Sequence, residues 1–412
     1  MSRAICIVSP GNLAFTPRVL KEADALHEAG YAVTAVVCDR TAALRPFDDA
    51  MAASVPWKVV RVPPPAGERA FRQAAEGAAR LLLAAGGRLP VALAARAYGG
   101  PLAPLRRAAC EVPADLYIGH YVIGLAAAAV AAGQRGAMLG FDAEDYHAGE
   151  GTPFAQNLVR SLEGALMPSC RHATAAAPLI GDAYAAHYGV TPTTVLNVFP
   201  LAMAPAAPAP LLAQRPAGEP LRAYWFSQTV GLDRGLQPFI QAMARTRMPV
   251  TLDIRGDNRW GHGERLVELA RELGIAERVR LLPTAPPEEM VRLAVPYDIG
   301  LSLETDVSDN RRFCLTNKIF TYLLAGVPVL FSDTPAQRAL APDLGAAARV
   351  ISLSDPGAIA ATLDGLAGSP QARIDASACA WRLGRDRYNW EVEKASLLGS
   401  VARAFEARRV AA

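Results

Sequence analysis

The feature that most constrains this chain is a repeated alternation of short apolar, β-rich runs with longer helix-patterned stretches, interrupted once by a block of Ala and Pro. Residues 4–8 (AICIV) are apolar, the turn Ser9-Pro10-Gly11-Asn12 follows, and a helical pattern runs from Pro17 to Ala29, where Gly30 supplies the stop. Ala32 to Cys38 is again apolar and β-rich. Strand, loop, helix and strand in this order make a βαβ unit, and such units build parallel sheets that bind ligands at the carboxyl ends of their strands. Further strands are expected at 58–62, 115–119, 137–141, 173–177 and 194–198. Pro lacks the N–H that a sheet ladder needs, so the Ala/Pro-dominated 201–220 reads as a linker. From Leu221 the alternation resumes, with strands expected at 222–226, 250–255, 279–282, 299–303, 327–331 and 350–353. The pattern predicts two α/β domains.

Composition narrows the functional classes. A chain of 412 residues, 51% hydrophobic and 20% charged, is globular and long enough for two domains. A net charge of +3 argues against a nucleic-acid footprint spread over the whole protein, so no nucleic-acid partner is expected. The six cysteines, Cys6, Cys38, Cys110, Cys170, Cys314 and Cys379, form no CxxC pair, which offers no zinc knuckle and suits a reducing cytoplasm. The apolar run before Pro10 is too short for a signal peptide, so a cytoplasmic protein is expected. Leu116 to Gln134 is uncharged, but with Gly119, His120, Gly124 and Gly133 it reads as a strand entering an Ala-rich helix and not as a membrane span. Residues 67–109 carry seven arginines against Glu68 and Glu76, interleaved with Leu, Ala, Phe71 and Tyr98. Such a surface can lie on anionic lipid at the inner membrane face; ordinary helices with solvated arginines are the plainer reading, and Pro90, Gly99 and Gly100 break the segment up.

Three segments carry chemistry. Gly11 sits in a strand-to-helix loop, where free N–H groups attract an anion, but without GxGxxG a nicotinamide dinucleotide site loses its main support. The second domain opens likewise, with Ser227-Gln228-Thr229-Val230-Gly231-Leu232-Asp233-Arg234-Gly235-Leu236 after a strand, and an Arg in such a loop can cradle a diphosphate. No Walker lysine pattern occurs, which sets aside a P-loop ATPase. The most specific segment is Asn317-Lys318-Ile319-Phe320-Thr321-Tyr322-Leu323-Leu324-Ala325-Gly326-Val327-Pro328-Val329, a polar pair leading a helix that ends at Gly326 before a buried strand.

Here the sequence resembles the GT-B glycosyltransferases, in particular the retaining group of glycogen synthase and bacterial polysaccharide transferases, where Asn-Lys, an aromatic, Tyr-Leu and Ala-Gly-x-Pro-Val recur in the donor domain. Other segments agree in order: Thr16-Pro17-Arg18-Val19-Leu20-Lys21-Glu22-Ala23 with the opening helix, Gly231 to Leu236 with the glycine loop, Asp115 to His120 with the strand whose histidine faces the sugar, and Arg387-Tyr388-Asn389-Trp390-Glu391 with the C-terminal Tyr-x-Trp helix. The resemblance implies two Rossmann-like domains facing across a cleft. The first spans 1–200, joined by a helix at 387–412 that crosses back to it, and the donor domain spans 221–386. It implies a transferase that takes a sugar from a nucleoside-diphosphate sugar, UDP foremost, with no cofactor and no metal. Its acceptor would be a carbohydrate or a lipid-linked glycan.

Carried over residue by residue, Gly11, Asn12, Thr229 and Gly231 would line the diphosphate, Arg234 and Lys318 would neutralise it, Asn317 would assist, and His120 would hydrogen-bond the sugar. Two departures stand out. The glutamate usually found five residues before the glycine of Ala-Gly-x-Pro is Thr321 here, so the ribose contact falls to another acid; Glu304 is preferred over Asp306 and Asp309. Where Asp-Ala-His-Glu is common this chain has Asp142-Ala143-Glu144-Asp145, and Glu144 could serve as base in an inverting displacement or act only as a helix-start acid. A nucleotide-sugar 2-epimerase on the same fold and a non-catalytic nucleotide-sugar binder are the rival readings.

Overall fold

A computed structural model describes residues 3–65, 67, 69–208 and 219–411; residues 209–218 of the expected linker lie outside that description. Ala4–Ser9 (β1), Ala32–Cys38 (β2), Lys58–Val62 (β3), Leu116–His120 (β4), Met138–Ala143 (β5), Cys170–Ala175 (β6) and Thr193–Thr194 (β7) form one parallel sheet in the order β3-β2-β1-β4-β5-β6-β7. Leu221–Thr229 (β8), Val250–Asp257 (β9), Val279–Leu282 (β10), Ile299–Ser302 (β11), Val329–Ser332 (β12) and Ala348–Ile351 (β13) form a second, ordered β10-β9-β8-β11-β12-β13. Each is a doubly wound sheet, its chain running outward one way from the first strand and then returning to build the other half. The strands are near-continuous apolar runs because helices cover both faces of a parallel sheet.

The chain divides into two compact units, Met1–Val195 with 308–310 and Lys394–Ala412, and Leu196–Val307 with Arg311–Glu393. The division falls inside the last helix, Trp390–Ala411, whose Val401, Ala404 and Phe405 enter the core of the first unit beside Val19, Leu26 and Trp57. The second unit's core gathers Trp225, Phe239, Ile240 and Ile254.

The local differences from the sequence reading have physical causes. The sixth strand begins at Cys170 and not at residue 173, because Arg171 and His172 extend it; His172 is buried, its Nδ1 2.9 Å from Ser400 Oγ. The strand expected at 194–198 pairs only over Thr193–Thr194. Leu116–Gln134 is strand then helix, Tyr121–Arg135, and among the described residues no helix is long and apolar enough to cross a membrane. The arginine-rich segment forms three helices, Arg69–Ala84, Val91–Tyr98 and Leu102–Glu111, broken at Pro90 and Gly99 as expected.

Candidate functional site

In a doubly wound sheet the ligand crevice lies at the carboxyl ends of the two strands where the winding reverses. In the second unit these are β8 and β11, and the residues that follow them converge. Glu304 lies two residues beyond β11 with its side chain 1% exposed, and Lys318 Nζ is 2.9 Å from its Oε1. Arg311 Nη1 donates to Glu304 Oε2 at 2.7 Å, and Arg234 Nη1, from the loop after β8, lies 3.6 Å from the same oxygen. Burial alone would raise the Glu304 pKa, but the charges of Lys318, Arg311 and Arg234 outweigh it and hold the carboxyl down to about 2. Three cations thus share one buried carboxylate. Arg234 Nε is itself buried and makes no hydrogen bond among the described residues, its neighbour Asp233 standing 3.7 Å away.

Local sequence fixes this geometry. Gly235 caps the helix Leu236–Met243 at φ +66°, and a Cβ there would sit 2.9 Å from Leu303 Cβ, so only glycine lets the Arg234 loop press against the residue preceding Glu304. Thr305 Oγ1 donates to Asp233 O at 2.8 Å and ties the two loops together. Lys318 stands in the first turn of the helix Asn317–Ala325, which is seated by the Tyr322 ring on Gly300 and by the Tyr322 hydroxyl donating to Tyr224 O at 2.9 Å.

The remaining expected residues of this unit are less uniformly placed. Asn317 is half-buried at the start of its helix, and Thr229 and Gly231 flank the end of β8. Thr321 is fully buried and donates to Asn317 O at 3.0 Å, so its hydroxyl is taken up by its own helix. Glu304 is bound to cations, which makes it their anchor in place of the ribose acceptor expected of it. Arg311 escaped the sequence reading. Its one sequence signal is the pair Arg311-Arg312, midway between Glu304 and Lys318.

In the first unit the reversal lies between β1 and β4, and its carboxyl end holds a buried ionic network. Arg18 and Glu22 lie one turn apart on the helix Pro17–Glu28. Arg18 Nε and Nη2 donate to the two oxygens of Asp142 at 2.6 and 2.8 Å, and Thr174 Oγ1 donates to Asp142 Oδ1 at 2.5 Å. His120 Nε2 is 2.5 Å from Glu22 Oε2, and its Nδ1 is 3.3 Å from Asp142 Oδ2. Burial and Arg18 work against protonation of His120, but Asp142 and Glu22 prevail and its pKa is raised. Both carboxyls are correspondingly lowered despite burial, Glu22 chiefly by His120 and Asp142 chiefly by Arg18. His120 was expected to hydrogen-bond a sugar; here the side chain is 1% exposed and both ring nitrogens face carboxylates, so the ring orders the strand end and presents no nitrogen to a ligand.

Asn12 is likewise used within the fold: its Nδ2 donates to Asp48 Oδ2 at 2.7 Å and its Oδ1 accepts from Thr41 N at 2.9 Å, pinning the loops after β1 and β2 together. Gly11 is half-buried beside it. Glu144 is half-buried and accepts from the Tyr121 hydroxyl at 3.0 Å; burial, Asp145 and Asp142 raise its pKa. Tyr121 follows His120 directly and has φ +56°, the one non-glycine residue with positive φ among those described. Strain of this kind persists where the surroundings over-determine it. Among the described residues no group of three or more His, Cys, Asp or Glu is arranged to hold a metal ion.

Two doubly wound sheets, with a cation cluster at the reversal of the second, define a two-domain α/β fold of the GT-B class, and comparison with solved structures agrees. HepE from Anabaena, crystallised with UDP and glucose, matches with a TM-score of 0.72 at 13% identity, covering 97% of this chain and 99% of its own. WaaG, a glycosyltransferase involved in lipopolysaccharide biosynthesis, matches at 0.61 and 14% identity over 96% and 98%. A putative UDP-N-acetylglucosamine 2-epimerase from Listeria monocytogenes matches at 0.55 and 13% identity over 99% and 98%. At such identities the likeness is one of fold. No protein-family model matches the sequence, and no curated protein does.

Proposed function

We propose that the protein transfers a sugar from a nucleoside-diphosphate sugar, UDP foremost, to an acceptor hydroxyl, with the donor held by the second unit. The observation that carries this reading is the cation cluster of Lys318, Arg311 and Arg234, anchored by buried Glu304 where a doubly wound sheet binds its ligand. In the transfer the bond between the sugar C1 and the diphosphate oxygen breaks, and its electron pair leaves with the diphosphate. The acceptor oxygen bonds to C1, and its proton passes to the departing phosphate in a retaining reaction. Negative charge grows on the diphosphate as the bond breaks, and guanidinium and ammonium groups already in place stabilise that charge without a metal ion. Asn317, Thr229, Gly231 and Thr321 belong to the donor side. Gly11 and Asn12 are assigned to the diphosphate, and His120 and Glu144 to the sugar and the acceptor, with His120 acting through the strand end it orders. The UDP complex of HepE supports the choice of nucleotide, and WaaG supports an acceptor in surface-glycan assembly, reached by a cytoplasmic protein in peripheral contact with the membrane.

Incubation with a panel of UDP-sugars, with and without glycan acceptors, tests the reading. Release of UDP together with a new glycoside of retained anomeric configuration supports it. Formation of the 2-epimer without acceptor would establish the epimerase, and tight donor binding with no turnover on any acceptor would establish a binding protein.

A further inference from the structure

Tyr121 is the first residue past β4 and Glu144 the first past β5, and these neighbouring strands end together, with His120 paired to Asp142. The Tyr121 hydroxyl donates to Glu144 Oε2 at 3.0 Å and so bridges the carboxyl edge of the first sheet. A sharp entry into the helix Tyr121–Arg135 imposes the φ of +56°. A Cβ on Gly119 would lie 2.3 Å from Leu125 N, and one on Gly124 would lie 2.4 Å from Val8 O, so the helix begins with its backbone laid directly on β1 and β4. With the His120 ring held by Glu22 and Asp142, the chain must turn at the single residue that follows.

Glycine adopts that backbone freely, whereas in tyrosine the Cβ crowds the carbonyl oxygen that follows it. The turn gains nothing from a tyrosine, so what the residue contributes is its side chain. A strained residue between a strand and a helix holds its side chain out at the end of the sheet, which is how tight turns of this kind present functional groups. The Tyr121 ring is half-buried, with the His147 ring 5.8 Å away. Burial and the Glu144 carboxyl raise the phenol pKa, so the hydroxyl keeps its proton and remains a donor. Glu144 is faced by Asp145 and Asp142, which together with burial raise its pKa, and by Arg18 and His120, which lower it. A hydrogen bond donated by Tyr121 favours the carboxylate against that burial.

We propose that Tyr121 is a positioning residue that holds the Glu144 carboxylate at the sheet edge, where it accepts a hydrogen bond from a hydroxyl of the acceptor adjoining the one that reacts. An ionised carboxylate only accepts, and its bonds from hydroxyl groups are short and strong. The reacting hydroxyl gives its proton to the departing phosphate, so the bond to Glu144 falls to its neighbour, and the acceptor is a sugar with adjoining hydroxyls. The use of Glu144 on an acceptor rests on the transferase reading; its positioning by Tyr121 does not.

Two measurements on the full chain need no acceptor. With glutamate labelled at its carboxyl carbon and followed by NMR, and with Glu144→Gln identifying the signal, Tyr121→Phe should move the Glu144 titration to higher pH, because the carboxylate loses a donor. Tyr121→Gly should have a higher urea midpoint than Tyr121→Ala, the reverse of their order in an ordinary helix, because glycine alone is at ease at φ +56°. An unmoved Glu144 titration, or the ordinary order of midpoints, would overturn the positioning. On any glycan acceptor that the parent glycosylates from a UDP-sugar, Tyr121→Phe should lower kcat/KM for the acceptor roughly tenfold, the worth of one hydrogen bond to a charged group. Its affinity for UDP should stay that of the parent, and it should add nothing to the loss already caused by Glu144→Gln. Losses that multiply in the double variant would overturn the action through Glu144. A parent that binds UDP but glycosylates no acceptor would overturn the transferase reading and with it the acceptor role of Glu144, and the titration and the midpoints would then decide the positioning alone.

Discussion

Replacing Glu304 with Gln tests the central electrostatic arrangement, since the substitution keeps the shape of the side chain and removes only its charge. A carboxyl held down from 4.5 to about 2 is stabilised as the anion by about 3 kcal/mol, at about 1.4 kcal/mol for each tenfold change in proton affinity. Removing one partner of a buried ion pair costs about 3–5 kcal/mol, so the two routes agree. Glu304→Gln should therefore lower stability by about 3 kcal/mol at neutral pH, read from the urea midpoint of the second unit and from faster hydrogen exchange in the helix Asn317–Ala325. The sign of the pH dependence is fixed by the depressed carboxyl. The parent's advantage is complete above about pH 4.5 and shrinks as pH falls toward about 2. A diphosphate can take over the missing negative charge, so saturating UDP should stabilise the variant more than the parent. A variant within about 0.5 kcal/mol of the parent at neutral pH, the range of ordinary surface substitutions, would refute the role given to Glu304.

Lys318→Ala or Arg234→Ala should cut transferase turnover by roughly 10²-fold or more, as loss of a donor to a developing oxyanion does, and steady-state kinetics showing a change of only a few-fold would remove these residues from the mechanism. In the first unit the raised pKa of His120 means that its contribution is complete below about pH 6.5 and is lost as pH rises through the raised value, whereas the lowered carboxyls of Glu22 and Asp142 contribute fully above about pH 4 and fail below it. The stability gap between the parent and His120→Asn should therefore narrow as pH rises above about 6.5, and a gap constant into the alkaline range would contradict the protonated ring. Gly235→Ala places a side chain at φ +66° against Leu303 and should cost about 1–3 kcal/mol while weakening UDP binding, because it displaces the Arg234 loop.

The fold was legible in the sequence because parallel strands buried on both faces are written locally as apolar runs: 32–38, 58–62 and 279–282 are strands over those very residues. The edge strand pairs only at 193–194, shorter than the run at 194–198 suggests, since a short pairing at a sheet edge leaves little trace in hydrophobicity. Arg234 and Glu304 are legible because each stands in a loop just after a strand, and Lys318 because it leads the helix of the Asn-Lys segment that carries the resemblance. What could not be read was pairing at a distance. Arg18 and Asp142 are 124 residues apart, and nothing near either residue signals that they meet. For the same reason His120 was expected to face a ligand, although its two carboxylate partners come from a helix 98 residues earlier and from the neighbouring strand. The positive φ of Tyr121 was equally invisible, because tyrosine carries no local signal for that conformation.

The most direct measurement is a calorimetric titration with UDP, UMP and uridine on the parent and on Lys318→Ala. If the cation cluster holds a nucleoside diphosphate, affinity rises from uridine to UMP to UDP in the parent, and the advantage of UDP collapses in the variant. Equal affinity for uridine and UDP, or an unchanged UDP affinity in Lys318→Ala, would contradict the assignment.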